Sequence, residues 1–364
     1  MIAPGESVLV YGAASPVGAA VVREALRQGA QVIALDLPRT PLANMVEERV
    51  QAIMIDPVVD QAALEEATGR ASACILVADA HVGPSTHREL MDLAVLAPLS
   101  MLFRAADDAK LRSLVFLSSV RIFGRPRLIP VPEYGAVHPR TAYERGMLDA
   151  ERIAIRFHEK HGLPVAILRA AYRHGPRFDG VVANLCAWAA VAWARGIQSL
   201  SLPANAPPCQ FTALSDLARV AVALVGRSEA VGCAFHTAAP GTISIADLMR
   251  RALDAYGLDA REQPLPGKFL RRFPGFLAGS VSARAREQWK DVVSEYQLRP
   301  DAPGPELSPW LLESLKVPQV YDTSGLASLG IPPTDVPVEE GCAQYLRWAA
   351  AEGKWLPPLV REGR

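Results

Sequence analysis

SVLVYGAASPVGAAVVREALRQGAQVIALD, residues 7–36, decides the fold. An apolar run, SVLVY, stops at Gly12 and passes through Gly12-Ala13-Ala14-Ser15-Pro16-Val17-Gly18 into helix-like apolar spacing from Val17 to Gln28. A second apolar run, QVIALD, then ends on Asp36. Small residues let the backbone approach a ligand, and a helix N-terminus offers free N–H groups with partial positive charge, so the turn suits a pyrophosphate. Asp36, 18 positions after Gly18, can accept hydrogen bonds from both hydroxyls of a ribose and would repel a 2′-phosphate. The stretch therefore reads as a dinucleotide site made by Gly12, Ser15, Pro16, Val17, Gly18 and Asp36, with NAD favoured over NADP. Ser15 stands where glycine is commoner, and Arg39 is near enough in sequence to receive a 2′-phosphate if its loop turns inward.

Outward from this unit the same alternation continues. VQAIMID (50–56), ACILVA (73–78), SLVFLSS (113–119) and PVAILRA (164–170) read as strands, separated by helical spacing over Gln61–Thr68, Arg88–Ala109 and Glu144–His161. Short apolar runs alternating with helices predict an α/β fold, a Rossmann-type doubly wound parallel sheet covered on both faces. Asp56 ends the third run, where it faces an adenine or simply makes a turn before Pro57. After Arg169 the alternation fades: helices are expected over Val182–Arg195 and Asp216–Val225, with a Pro-rich loop near Pro203–Pro208. The reading is a cofactor domain over 1–175 and a smaller C-terminal lobe over 176–364, with segments around 205–240 able to return to the sheet. Residues 260–320, rich in Pro, Arg and aromatics, read as surface loops, a lid, an insertion or an oligomer contact.

Composition excludes several classes. Half of the 364 residues are hydrophobic, enough for a large core, and 38 basic residues balance 38 acidic ones, so no net field gathers nucleic acid or an anionic membrane. The five cysteines (Cys74, Cys186, Cys209, Cys233, Cys342) form no C-x-x-C pair and have no histidine at zinc-ligand spacing, so no metal is expected and the thiols read as reduced. The first residues enter a strand with no signal-peptide pattern, and Val181–Ala194, the most apolar stretch, falls short of the roughly 20 residues that span a bilayer. A cytoplasmic protein is expected.

Several further segments, in order, carry a family resemblance. LVFLSSVRIFG (114–124) looks like a Ser-Ser-x-x-x-Tyr-Gly segment with Phe123 in place of Tyr; Tyr143 follows, with Glu151 eight residues on; ILRAAYRHGP (167–176) looks like an Arg-Pro-x-x-x-Tyr-Gly-Pro strand end. QFTALSDLARVAVAL (210–224) and VYDTSGLASLGIPPTDVPVEEGCAQYLRWA (320–349) complete the order. Together with the glycine turn, these resemble the extended short-chain dehydrogenase/reductases, the NAD-dependent epimerase/dehydratase group, over nearly the whole chain. The resemblance implies a Rossmann-type domain holding NAD, with Asp56 and Ala78 joining the turn and Asp36 at the cofactor. It also implies a C-terminal lobe that selects a small-molecule substrate, a homodimer contact on the helix beginning near Tyr143, and an active site in which Ser119 binds the reacting oxygen and Tyr143 gives or takes its proton.

One residue departs from that pattern. The family places Lys four positions after the tyrosine, on the same helix face, where its ammonium reaches the hydroxyl and the nicotinamide ribose; here the residue is Met147. An unassisted Tyr has a pKa of about 10, so roughly one molecule in a thousand is ionised at pH 7, and losing the cation slows a base-dependent step up to about a thousandfold. Arg145 lies about 200° round the helix and points away. Arg121 is better placed, sharing a face with Ser119 if the segment is extended. Arg140, Arg173 and His174 also belong to segments that the resemblance puts around the cleft, and His174 can serve as an acid or base near neutral pH. Three functions are compatible: hydride transfer between NAD and a secondary alcohol or ketone; a lyase, dehydratase or isomerase using NAD transiently; and a regulatory NAD-binding protein. Nucleotide sugars are the family's usual substrates, while the aromatic residues between Phe269 and Trp310 suit a hydrophobic ligand.

Overall fold

The computed structural model describes residues 2–38, 40, 42, 49–83, 86–263, 275–334 and 337–359. Arg39, the residue weighed for a 2′-phosphate, and Phe269 lie outside them. The chain forms two compact units, one of Met1–Ala171, Leu214–Ala238 and Tyr321–Thr334, the other of Tyr172–Ala213, Ala239–Val320 and Asp335–Arg364.

The first unit is built on strands β1 (Ser7–Tyr11), β2 (Gln31–Asp36), β3 (Val50–Met54), β4 (Ala73–Val77), β5 (Ser113–Ser119), β6 (Val165–Ala170) and β11 (Ala234–Thr237), the last numbered in chain order after the strands of the second unit. They form one sheet in the order β11-β6-β5-β4-β1-β2-β3, every pair parallel. The six apolar runs read from sequence are its first six strands. β4, β5 and β6 are buried throughout, as strands covered on both faces must be, whereas edge strand β3 is half exposed.

Local chemistry sets the helix ends. Helix α1 (Pro16–Arg27) starts on Ser15, whose hydroxyl accepts from the Gly18 amide, with Pro16 in the first turn where its missing N–H costs nothing. The helix expected over Arg88–Ala109 is α3 (Arg88–Met91), a π turn (Asp92–Leu96) and α4 (Ala97–Asp108), α2 being Gln61–Gly69. Pro98 has no amide to donate to the preceding turn, and the ladder shifts register there. Helix α5 (Ala142–His161) opens with a capping box between Thr141 and Glu144 and closes on Gly162 at φ 75°.

Beyond a division near residue 175, the chain returns to the first unit twice. α7 (Leu214–Leu224) packs on α1, and β11 extends the sheet beside β6. The segment Tyr321–Thr334 is clasped by Asp216, which accepts from the Thr334 amide (3.0 Å) and hydroxyl (2.7 Å), while Arg219 donates to the Pro332 carbonyl. At the centre, Arg169 on β6 makes a two-pronged bond to Glu151 on α5 (2.9 and 2.8 Å), and Ser118 on β5 donates to the same carboxylate. The guanidinium also lies over the Phe123 ring and donates to the Glu133 carbonyl.

In the second unit, α6 (Val181–Ala194) is buried on nearly every side, which explains the most apolar stretch of the sequence. Around it lie β7 (Tyr172–His174) paired with β10 (Phe211–Ala213), β8 (Ser199–Pro203) with β13 (Asp259–Gln263), β9 (Pro208–Cys209) with β12 (Ile243–Ser244), and α8 (Ile245–Ala255). Part of the 260–320 stretch is the long helix Gly275–Glu295, on which Trp289 is buried, and farther along Trp310 lies 5.6 Å from the Tyr172 ring. Among the described residues no helix is long and apolar enough to cross a membrane.

Two stability measurements follow from the first unit. Arg169→Met leaves the Glu151 carboxylate buried without its partner, and urea unfolding should show a loss of about 3–5 kcal/mol, while Arg169→Met with Glu151→Met should lose much less. His236 on β11 is buried between the rings of Phe123 and Tyr321, and burial, with Arg169 adding to it, pushes its pKa from 6.5 down to about 3. The unfolded chain therefore binds a proton that the native one refuses, and stability falls as pH drops from 6.5 toward 3. His236→Gln should flatten that acid fall, measured as urea midpoints across the same range.

Candidate active site

The cofactor candidates gather at the carboxyl ends of neighbouring parallel strands: Gly12 after β1, Asp36 closing β2, Asp56 just past β3 and Ala78 just past β4. The chain leaves β1 toward β2 and β3 and returns through β4 on the other side, which puts the crevice of a doubly wound sheet between β1 and β4. Gly12 is at φ 75°, and a Cβ there would meet Ala80 at 2.5 Å; a Cβ on Gly18 would meet the Gly12 carbonyl at 2.0 Å. Only glycine fits either place, so the turn hugs the strand and brings the start of α1 up to the crevice.

The polar groups of the turn are largely engaged. Ser15 donates to the Gly12 carbonyl (2.7 Å) and caps Gly18, the Ala14 amide donates to Asp36, and Pro16 has no N–H. Among the described residues the Val17 amide, in the first turn of α1, has no backbone acceptor, and it could meet a phosphate oxygen. Asp36 is fully buried, accepts also from the Leu37 amide, and has the Nε2 of His81 2.9 Å from its Oδ1. The set fits NAD: a glycine cradle, one amide at a helix N-terminus and a carboxylate for ribose hydroxyls, which share Asp36 with His81 or displace it. Asp56 accepts from the Val58 amide in a tight turn, the bond its position before Pro57 allows.

Ser119 ends β5, and a 3₁₀ turn, Val120–Phe123, follows at once. The segment is therefore not extended through Arg121, which reaches the site differently: its amide donates to Ser119 Oγ at 3.3 Å while its guanidinium sits 5.0 Å above the Tyr143 ring. Arg121 thus ties Ser119 to Tyr143, and its guanidinium also lies 3.6 Å from Glu144. Tyr143, in the first turn of α5, is buried, and its hydroxyl donates to Asp79 Oδ2 at 2.6 Å. Met147 is fully buried in the core of this unit, filling with hydrocarbon the helix face where an ammonium is expected.

Arg145 is exposed and donates to the Arg140 carbonyl, pointing away as its helical position requires. Arg173 lies over the Phe178 ring in the second unit. His174 also belongs to that unit; Gly341 is close against its ring, neither ring nitrogen has a hydrogen-bond partner among the described residues, and burial pushes its pKa from 6.5 down to about 4. Its ring is therefore neutral at pH 7. Sequence reasoning missed Asp79 and His81. The signal was present in the run Ala78-Asp79-Ala80-His81, two ionisable residues directly after a fully apolar strand. Among the described residues no group of three or more His, Cys, Asp or Glu is placed to hold a metal.

A sequence profile of the NAD dependent epimerase/dehydratase family matches residues 8–235. The chain is similar to UDP-glucose 4-epimerase of Lactobacillus helveticus, 26% identical over 182 residues, 48% of this chain and 54% of that one. It is also similar to UDP-glucuronic acid decarboxylase 5 of Arabidopsis thaliana, 34% identical over 85 residues, 21% of this chain and 25% of that one. The chain thus spans about half the length of the first and a quarter of the second. Among solved structures, UDP-N-acetylglucosamine 4-epimerase from Methanobrevibacter ruminantium M1 superposes with a TM-score of 0.66 at 17% identity, over 95% of this chain and 98% of that one. WbmG of Bordetella bronchiseptica, solved with NAD and UDP, gives 0.67 at 18% identity, over 95% and 94%. These likenesses repeat the fold, and the profile, covering well over half of the sequence, carries the assignment: the chain belongs to the NAD dependent epimerase/dehydratase family, an enzyme family of the short-chain dehydrogenase/reductase type whose cofactor is NAD.

Proposed function

We propose that the protein is an enzyme that binds a nucleotide sugar and oxidises one of its secondary alcohols transiently, as an epimerase or a decarboxylase. The observation that carries the reading is the Ser119–Arg121–Tyr143 group at the end of β5 and the start of α5: a hydroxyl to hold the reacting oxygen, a phenol to exchange its proton, and one arginine joined to both. NAD supplies a hydride acceptor and donor when bound. Gly12, Val17, Gly18 and Asp36 would hold it, Ser119 would orient the alcohol or ketone oxygen, and Tyr143 would move the proton at that oxygen.

A transient oxidation suits this site better than a net one. Met147 offers no charge to favour a standing tyrosinate, so a cycle in which the proton leaves and returns within the site demands less than one that must release it. The nucleotide-sugar class rests on the epimerase and decarboxylase relatives. Of the aromatic residues that suggest a hydrophobic ligand, Trp289 is buried and Trp310 packs against Tyr172.

The test is direct. UDP-glucose, UDP-N-acetylglucosamine and UDP-glucuronate are each incubated with purified protein and NAD, and the sugars are identified by NMR. An epimer or a decarboxylated sugar is expected from at least one, with Tyr143→Phe and Ser119→Ala each slowing its formation by roughly 10²–10⁴-fold. A protein that retains NAD yet changes none of the three overturns the substrate reading. The homodimer is proposed on the α3–α5 surface, where Leu90, Leu93 and Ile155 are exposed; Leu93→Asp should convert a dimer to a monomer in light scattering.

A further inference from the structure

The contact between Tyr143 and Asp79 joins residues 64 positions apart, one in the first turn of α5 and one just past the buried strand β4. A phenol that donates to a carboxylate is held neutral, because a neighbouring negative charge opposes its ionisation. That is the reverse of what a lysine does. With Met147 buried in the lysine's place, the hydroxyl has an acceptor beside it where its relatives by resemblance have a cation.

We propose that Asp79 positions Tyr143 and takes up its proton during the reaction, so that the pair works as a two-step relay in place of a tyrosinate. The inference rests on the alcohol oxidation proposed above. The carbinol hydrogen leaves with its electron pair to the cofactor, the alcohol's proton passes to Tyr143 Oη, and the phenolic proton passes to Asp79 Oδ2. The ketone forms, Tyr143 stays neutral, and Asp79 ends as a carboxylic acid; re-reduction runs the same transfers backward, so no proton need reach solvent. A carboxylate is ionised in nearly every molecule at pH 7, whereas an unassisted tyrosinate is present in roughly one of a thousand.

The charged groups around the pair suit this role. Arg121 lies over the Tyr143 ring from the turn after β5, a cation on the face of the phenol. Glu144, on the same helix as Tyr143, is paired toward Arg121 and accepts from the amides of Arg140 and Thr141. His81, on the same loop as Asp79, is directed at Asp36.

Asp79→Asn separates proton uptake from simple tethering, because the amide oxygen still accepts a hydrogen bond but takes no proton. The first readout needs neither cofactor nor substrate. The ultraviolet tyrosinate signal of the free protein is titrated in Asp79→Asn and in the unaltered protein, with Tyr143→Phe backgrounds subtracted to isolate Tyr143. The phenol should ionise at distinctly lower pH once the carboxylate charge is gone; an unmoved titration overturns the contact and the proposal with it. The second readout is the pH profile with whichever UDP-sugar is turned over. Asp79→Asn should lower kcat roughly 10- to 1000-fold with KM little changed and remove the acid limb, and Asp79→Glu should restore part of both. An unchanged kcat in Asp79→Asn overturns proton uptake. If no UDP-sugar reacts even with the unaltered protein, the substrate reading fails and the titration alone decides the role of Asp79.

Discussion

The buried bond between Arg169 and Glu151 is the constraint on which the active site depends. It is two-pronged, nearly free of water, and shared with the Ser118 hydroxyl, so a single carboxylate ties β5, α5 and β6 together. Ser119 is the next residue along β5, and Tyr143 lies two turns up α5 from Glu151. Burying two charges costs several kcal/mol per ion, which full hydrogen bonding offsets only when the geometry is good. Such a pair stabilises less than it specifies: it allows one register between strand and helix, and that register brings the serine and the tyrosine to the same arginine.

Around this fixed frame, the site distributes charge in an unusual order. A phenol meets an anion at its hydroxyl and a cation over its face, and a thioether occupies the position from which a cation would ordinarily act. The cofactor edge shows a similar economy. The serine in the middle of the glycine turn bonds the Gly12 carbonyl and the Gly18 amide, and Pro16 brings no N–H, so the turn would offer a phosphate few free donors. The Asp36 carboxylate is itself already in contact with two amides and a histidine.

Much of this was legible in the chain itself. The period of the apolar runs gave all six leading strands, because strands buried on both faces leave little room for polar residues, and the glycine turn announced the crevice. The missing lysine was equally plain, since i and i+4 fall on one helix face whatever the surroundings. What sequence could not supply was partnership across distance. Nothing near residue 79 says that a tyrosine 64 positions later will reach it, and nothing near Arg121 says that a tight turn rather than an extended segment will carry it over that ring. Nor do the neighbours of His174 in sequence say that its ring will be buried against Gly341.

The clasp between Asp216 and Thr334 has a consequence for how the molecule comes into being. A unit that needs β11 and the segment ending at Thr334 to cover its sheet stays open while most of the chain is synthesised. The edge of β6 is open until β11 is made, and exposed strand edges are where nascent chains pair wrongly. Shortening the protein to its apparent cofactor half would preserve every residue of the glycine turn and still remove the pieces that seal it. The last piece of this unit ends at Thr334, far from the boundary that the cofactor motif suggests.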